Sequence, residues 1–214
     1  MYADLAADAS FWNKLTEIDF GFLREAIAKG CPLCGGPLHI ANYQRKPRGI
    51  PDGVAKVFAI RCSACCGHCR KRLTPGSVRF LGRRVYAGAI VLLATMTALV
   101  SGAARRTLQR WSTWWTQELP ETRLWLSLRA RFVPAIPAST LPAGLLQRIE
   151  RPGGHQSERA LVGALRLLMP LTSHTAARTV NEGGMCVGEL TQKTRIDRHR
   201  RGLVTRSQAP PTKT

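Results

Sequence analysis

Carboxylates are scarce in this sequence. Its 214 residues include 13 Asp and Glu against 32 Lys and Arg, which gives a formal net charge of +19 at pH 7. Between positions 53 and 117 there is no acidic residue, although eleven Lys and Arg fall in that window. An arginine-rich composition would explain many of these arginines, but it explains poorly a window without a single carboxylate. The imbalance therefore favours a polyanionic partner, nucleic acid first and an anionic membrane surface second.

Recognisable catalytic patterns are also lacking. A nuclease of the three-carboxylate type needs Asp and Glu clustered in an α/β core to hold two metal ions. The few acidic residues beyond position 117 do not lie in strand-like apolar runs. There is no phosphate-binding loop of the GxxxxGK type, no G-x-S-x-G motif, and the five histidines are scattered. The sequence names no enzyme, and we expect a binding protein.

The N-terminal stretch MYADLAADASFWNKL lacks the features of a secretory signal, since it has neither a basic n-region nor an apolar h-region. Clustered cysteines in a chain that stays in a reducing compartment are typical of metal ligands rather than disulfides. We therefore expect a cytoplasmic, nucleoid-associated protein, and the composition suggests a bacterial one.

Glycine, proline and apolar periodicity divide the chain into five segments. Apolar residues recur at helical spacing after Ser10, a candidate N-cap, and a Gly-, Pro- and Cys-rich stretch follows them. We predict a mainly α fold with a small β zinc ribbon. The predicted segments are a helical arm (1–30), the zinc ribbon (31–79), a helix-turn-helix with short helices (80–149), a C-terminal helix (150–172) and a basic, disordered tail (173–214).

The first cysteine pair lies in the motif CPLCGG. Cys31 and Cys34 are separated by two residues, Pro32 fixes the bend, and Gly35 lets the backbone approach the sulfurs. Two thiolates at this spacing turn toward one metal ion, and a second pair is needed to complete a tetrahedral site of four thiolates. The pattern therefore predicts a partner pair elsewhere in the chain.

The motif RCSACCGHC offers two overlapping second pairs. The glycine in CGHC resembles that of a knuckle, so we favour Cys66 and Cys69. Cys62 and Cys65 are the alternative pair, and a mixed pair or ligation by His68 stays open. The expected cofactor is one structural Zn²⁺, because four thiolates leave no open position for a reacting water. The metal would fold a segment too rich in Gly and Pro to fold alone.

An uncharged run of twenty residues, 85–104, allows two interpretations. Its length suits a membrane-spanning helix. However, Gly88, Ser101 and Gly102 interrupt it, and neither flank is distinctly more basic. A buried helix that ends at Ser101–Gly102 explains the run equally well, and we favour that reading, with no membrane partner.

The sequence after this run predicts an amphipathic helix. Ala104, Leu108, Trp111 and Trp115 form one apolar stripe. A buried helix, a glycine-containing turn and a helix with a basic outer face are the plan of a helix-turn-helix, whose second helix enters the major groove. The candidate DNA-binding residues on this helix are Arg105, Arg106, Gln109, Arg110 and Thr113. A basic loop adds three more, which we expect to contact phosphates: Arg70, Lys71 and Arg72.

The combination CPLCGG…C-x2-C-RKRLTPGSVRFLGRRVYAGA…SGAARRTLQRW resembles the zinc-ribbon and helix-turn-helix N-terminal region of bacterial insertion-sequence transposases and small transposon-associated proteins. The resemblance covers about residues 31–116. It implies sequence-specific DNA binding linked to mobile elements, with a transposase or another mobile-element protein as a further partner. The chain departs from the pattern by doubling the second knuckle and by lacking a catalytic carboxylate triad.

A protein-interaction adaptor is the main alternative. In that interpretation the ribbon and four tryptophans, Trp111, Trp114, Trp115 and Trp125, bind another protein of a transposition or transcription complex. A membrane protein spanning 85–104 is the weaker alternative.

Overall fold

The computed structural model of the protein describes residues 2–54, 56–81, 84–96, 103–150 and 156–172. Its α-helices are α1 (Tyr2–Ala7), α2 (Ala9–Lys29), α3 (Gly88–Leu93), α4 (Arg105–Thr113), α5 (Arg123–Arg129), α6 (Ala143–Ile149) and α7 (Gln156–Leu168). Its strands are β1 (Leu38–Ile40), β2 (Tyr43–Gln44), β3 (Ile60–Arg61), β4 (Ala64–Cys66) and β5 (Arg72–Leu73). This part of the chain is mainly helical with small antiparallel sheets, as predicted. The predicted tail 173–214 and the predicted turn at Ser101–Gly102 lie outside the described residues.

Helix α2 belongs to two hydrophobic clusters. Its N-cap is Asp8 rather than the predicted Ser10. The Asp8 carboxylate accepts a hydrogen bond of 2.8 Å from the backbone N–H of Ser10, which lies in the first turn of the helix. Apolar residues at helical spacing, such as Trp12 and Leu15, are buried in the helical core. Leu23, farther along, is buried against the ribbon. The helix therefore supports both parts of the fold.

The strands form a compact ribbon in which the second knuckle is central. β4 pairs antiparallel with β1 on one side and with β5 on the other, and β2 pairs antiparallel with β3. Leu38 lies opposite Cys66 in the register of β1 and β4. This pairing brings the end of β4, where the second cysteine pair begins, beside the chain that follows the first pair.

A buried ion pair lies between α2 and the segment that follows strand β5. Arg79 and Asp19 are both fully buried, and the Arg79 Nε lies 2.8 Å from an Asp19 carboxylate oxygen. The Arg79 guanidinium also donates to the Phe58 carbonyl at 2.9 Å, and the Ser77 hydroxyl donates to Asp19. Arg79 belongs to the acid-free window of the sequence, yet its charge is neutralised inside the protein.

The helical core surrounds α3. Every residue of α3 is buried, and this helix packs against α1 and α7. Helix α4 continues without a break into the π-helical segment Trp114–Glu118. Trp115 in that segment is fully buried, and its indole N–H donates to the carbonyl of Val91 in α3. The proline-rich stretch that follows contains the short helices α5 and α6 and two 3-10 turns, Leu119–Glu121 and Ala138–Thr140.

The uncharged run 85–104 contributes only the six residues of α3 as a described α-helix before α4, and residues 97–102 lie outside the described part. Among the described residues, no helix combines the length and the apolar character needed to cross a membrane.

Candidate metal centre and basic surface

Four cysteine sulfurs meet between the two knuckles. All four Sγ atoms lie within 4.8 Å of one another, and they belong to Cys31, Cys34, Cys66 and Cys69. Cys31 and Cys69 are 3.7 Å apart at Sγ, and Cys34 and Cys66 are 3.5 Å apart. Thiolates about 2.3 Å from a zinc ion lie about 3.8 Å from each other at the corners of a tetrahedron. The arrangement therefore fits a four-coordinate metal ion.

The first knuckle is a tight turn closed by backbone hydrogen bonds. The N–H of Gly35 donates to the Cys31 carbonyl at 2.8 Å, and the N–H of Cys31 donates to the Gly36 carbonyl at 2.9 Å. Gly35 has a φ of +70°, a left-handed conformation that a residue without a Cβ adopts at little cost. This turn directs the sulfurs of Cys31 and Cys34 to the same side.

The second knuckle repeats this turn with a different residue at the strained position. The N–H of Arg70 donates to the Cys66 carbonyl at 3.1 Å, as Gly35 does to Cys31. Arg70 has a φ of +59° and is the non-glycine residue with a positive φ in the described part of the chain. The N–H of Cys69 also points at the Cys66 sulfur, at 3.5 Å. The two halves of the site are therefore built alike.

Strand geometry separates the alternative cysteine pair from this group. Successive side chains of a strand point to opposite faces, so Cys65 and Cys66 in β4 diverge. The Cys65 Sγ lies 3.6 Å from the Arg70 carbonyl oxygen. The Cys62 Sγ is fully buried and accepts a hydrogen bond of 3.2 Å from the Arg79 guanidinium. Neither sulfur joins the four-cysteine group, and the burial of Cys62 raises its thiol pKa although Arg79 opposes this effect.

Two histidines cover the glycines of the knuckles without joining the metal group. The imidazole of His68 lies against Gly36, where an added Cβ would be 2.7 Å from Nδ1. The imidazole of His39 lies against Gly67, where an added Cβ would be 3.0 Å from Nε2. The first knuckle is therefore packed against His68, which lies between Cys66 and Cys69 in the sequence. The second knuckle is packed against His39, which follows Cys31 and Cys34.

Two thiols of the cluster, Cys66 and Cys69, differ in how readily they ionise. Burial of Cys66 opposes ionisation, but hydrogen bonds from the backbone of Cys69 and His68 and from neighbouring thiols outweigh it and lower the pKa of Cys66 to about 6. At Cys69 a backbone hydrogen bond from Lys71 favours the thiolate, but burial and the neighbouring thiols outweigh it and raise the pKa to about 12. A bound cation is what allows four adjacent sulfurs to be ionised together.

The basic loop after the second knuckle is exposed but not uniformly free. Arg70, Lys71 and Arg72 all lie at the surface. The Arg72 guanidinium donates to the Ala41 carbonyl at 2.7 Å and to the Ser63 hydroxyl at 2.8 Å, so it is tied to the ribbon. Arg70 and Lys71 form no ion pair with a carboxylate in the described part of the chain.

Helix α4 presents one apolar and one polar face. Trp111 and Trp115 are 5% and 0% exposed, Leu108 is half-buried and Ala104 is exposed, so the apolar stripe holds except at its first residue. The five candidate DNA-binding side chains of the helix are all exposed: Arg105, Arg106, Gln109, Arg110 and Thr113. The helix contains no carboxylate that could neutralise them.

The tryptophans of the alternative adaptor are mostly inside the protein. Trp111, Trp115 and Trp125 are buried, and Trp114 is half-buried beneath the guanidinium of Arg84, 4.0 Å from its ring centroid. Sequence reasoning missed this stacking, and it also missed the role of Cys62 as a hydrogen-bond acceptor. No local pattern signals either contact, because the partners are distant in the sequence.

Comparison of the chain with protein-family models, with curated proteins and with solved structures found no match.

Proposed function

We propose that the four-cysteine group holds one zinc ion with a structural role. An all-thiolate donor set suits zinc, and four protein ligands leave no position for a reacting water or substrate. The ion would join two knuckles whose common hydrophobic cluster contains six buried residues within the described ranges, among them Cys31 and Cys66. One zinc per chain in the purified protein, measured by elemental analysis, is the expected result.

We propose further that the chain binds duplex DNA, as a transposase-like or transposon-associated protein of the kind that its sequence resembles. The observation that carries this proposal is the outward face of α4, which combines three arginines with a glutamine and a threonine and has no acidic residue. Arginine forms bidentate hydrogen bonds with guanine and glutamine forms them with adenine. Such a face suits the major groove.

The helix-turn-helix interpretation is part of this proposal. α3 would be the buried first helix and α4 the recognition helix. The contact from Trp115 to Val91 supports this assignment, because it fixes the helix that continues α4 against α3 and leaves the basic face toward solvent. In this geometry the arginines project from a rigid support, as base recognition requires.

The test is selection of bound sites from random-sequence duplexes, with zinc quantified in the same preparation. We expect an enriched sequence motif and a logarithm of affinity that falls linearly with the logarithm of salt concentration. The double variant Arg106→Gln/Arg110→Gln should lose both the motif and most of the affinity. Arg123→Gln/Arg129→Gln, which removes two exposed arginines from α5, is the control of equal charge and should retain both. Binding that does not depend on salt would contradict the proposal.

An adaptor is the second candidate function, on the ribbon part of the predicted surface rather than on the tryptophans. Three large apolar side chains of the ribbon are exposed, Leu33 at 59%, Ile40 at 66% and Tyr43 at 41%. A partner, for example a transposase, could cover them. Under this reading the α4 variant leaves partner binding intact, whereas Leu33→Ser/Ile40→Ser removes it.

A further inference from the structure

A second basic segment, Arg45–Arg48 with the sequence RKPR, lies between β2 and the helical body. The backbone of Arg48 holds this segment in place. Its N–H donates to the Val85 carbonyl at 2.9 Å, and its carbonyl accepts from the N–H of Ala87 at 3.1 Å. Arg48 therefore forms a parallel β-bridge with Tyr86.

The same neighbours pack against α4 and its continuation. The ring of Tyr86 meets the ring of Trp111 edge-on, with centroids 4.9 Å apart. The guanidinium of Arg84 stacks over the ring of Trp114. The backbone carbonyl of Arg84 accepts a hydrogen bond of 2.8 Å from the Arg45 side chain. Both ends of the RKPR segment are thus connected through residues 84–87 to the side of the candidate recognition helix.

The connection joins two positive surfaces. Arg110 precedes Trp114 by four residues, one turn earlier on the same face of the helix, and Arg106 lies one turn before that. The charge of Arg84, held over Trp114, therefore lies beside the edge of α4 that carries Arg110. The backbone of Arg48 pairs with that of Val85, the residue after Arg84, so Arg48 lies close to Arg84 in the fold.

The outer members of this surface have no described counter-charge. Lys46 and Arg48 are exposed, and neither forms an ion pair with a carboxylate in the ranges that the structure describes. Burial lowers the pKa of Arg84, and the charge of Glu118 opposes that effect. Glu118, at the end of the π-helical segment, is an acidic residue on this side of the helix.

We propose that Lys46, Arg48 and Arg84 form a phosphate clamp that binds the sugar-phosphate backbone of the same DNA duplex whose groove α4 enters. This inference rests on the proposed DNA binding and adds a second contact region to it. Side chains on phosphates position a protein on a duplex without reading its sequence. The clamp would therefore add affinity and fix the register of α4, while the residues of α4 determine the preferred sequence.

The test uses the full-length, metal-loaded chain and fluorescence anisotropy with labelled duplexes over a series of salt concentrations. One duplex carries the selected motif and the other a scrambled sequence. The variant is Lys46→Gln/Arg48→Gln, whose side chains are exposed, and thermal melting verifies that it folds. The matched control is Arg159→Gln/Arg166→Gln, which removes the same charge from exposed positions of α7.

We expect the clamp variant to weaken binding to both duplexes by the same factor and to reduce the salt slope by about 2, one unit for each lost phosphate contact. The control should keep the wild-type slope. A clamp variant with an unchanged slope overturns this inference but leaves the proposed function standing, since α4 would still bind. A wild-type chain that binds neither duplex overturns both.

Two further outcomes decide against a phosphate clamp on DNA. If the variant loses affinity only for the selected motif, Lys46 and Arg48 read bases and the clamp assignment is wrong. If the wild-type chain binds vesicles with anionic headgroups in preference to both duplexes, and the clamp variant abolishes that binding, the segment is a membrane contact. Weak vesicle binding that equals that of the control is the result expected here.

Discussion

The ribbon and the helical body differ most in what holds them together. Among the described residues, the helical body has a cluster of 27 buried residues that includes Trp12, Trp115 and Trp125. The cluster at the ribbon has six buried residues in the same ranges: Leu23 of α2, three cysteines and two other ribbon residues. Because stability scales with buried apolar area, we expect the body to depend on its own core and the ribbon to depend on the proposed metal ion. In this proposal the four-cysteine group takes the place of a larger hydrophobic core.

The two knuckles give a second comparison inside the ribbon. Their backbone hydrogen bonds match, but the left-handed position is glycine in the first (Gly35) and arginine in the second (Arg70). A non-glycine residue in this conformation costs about 1–2 kcal/mol. The second knuckle thus keeps an exposed basic side chain at the expense of backbone strain.

The largest expected effect comes from a substitution that removes the proposed metal ion and acts on the ribbon alone. Cys66→Ser should abolish metal retention, because apparent binding free energies of structural zinc are about 10–16 kcal/mol and depend on the complete ligand set. The ribbon should then exchange its amide hydrogens freely while the far-ultraviolet dichroism of the helices is largely kept. Elemental analysis and hydrogen exchange measure the two effects.

Cys65→Ser is the matched control, since it changes the adjacent residue of the same strand. It should retain one metal per chain and the protection of the ribbon. Equal metal loss in both variants would contradict the assignment of the four-cysteine group, and loss of helical dichroism on metal removal would show that the two regions are not independent.

The next largest effect comes from breaking the buried ion pair that connects the helical body to the ribbon. Asp19→Asn leaves the buried Arg79 without its counter-charge, and breaking a buried ion pair costs about 3–5 kcal/mol. Since Arg79 also donates to Cys62 and to Phe58, we expect both regions to lose stability together. Denaturant unfolding monitored by tryptophan fluorescence and by ribbon amide exchange measures this. Asp52→Asn, at an exposed carboxylate, should change the free energy of unfolding by less than about 0.5 kcal/mol.

The smallest effect comes from a substitution that gives both knuckles glycine at the left-handed position. Arg70→Gly should raise stability by about 1 kcal/mol, because the relief of the left-handed strain exceeds the conformational entropy that glycine adds to the unfolded chain. Lys71→Gly, one position later at a residue without a positive φ, should lower stability. Chelator competition and thermal melting measure both changes. If the two variants behave alike, the strain at Arg70 has no energetic weight.

Spacing predicts much of the candidate site. Three of its features are local patterns: the C-x2-C pairs, the glycines Gly35 and Gly67 within the knuckles, and the apolar stripe of α4. Local backbone geometry follows such patterns. The separation of Cys65 from Cys66 follows from the alternation of a strand. The sequence leaves open which second pair of thiols lies beside Cys31 and Cys34, because the position of β4 in the sheet is set by its pairing with β1.

Composition cannot predict which charges are buried. Arg61 and Arg79 lie in the acid-free window, yet both are buried and donate to groups inside the protein. Their main partners, Asp19 for Arg79 and the Pro75 carbonyl for Arg61, lie at distances in the sequence that no periodic pattern reports. For the same reason the sequence did not indicate that Arg84 stacks on Trp114. Predictions of DNA binding, of a mobile-element partner and of the helix-turn-helix stay predictions.

The uneven burial of the four thiols has a consequence for the exchange rate of the proposed zinc ion. Cys31 and Cys66 are buried, whereas Cys34 is exposed and Cys69 is partly exposed. An incoming chelator or exchanging ion would therefore meet the edge formed by Cys34 and Cys69, one thiol from each knuckle. Release of the ion would proceed through a state in which the inner two sulfurs still hold it, so the knuckles would open at their rims before they separate.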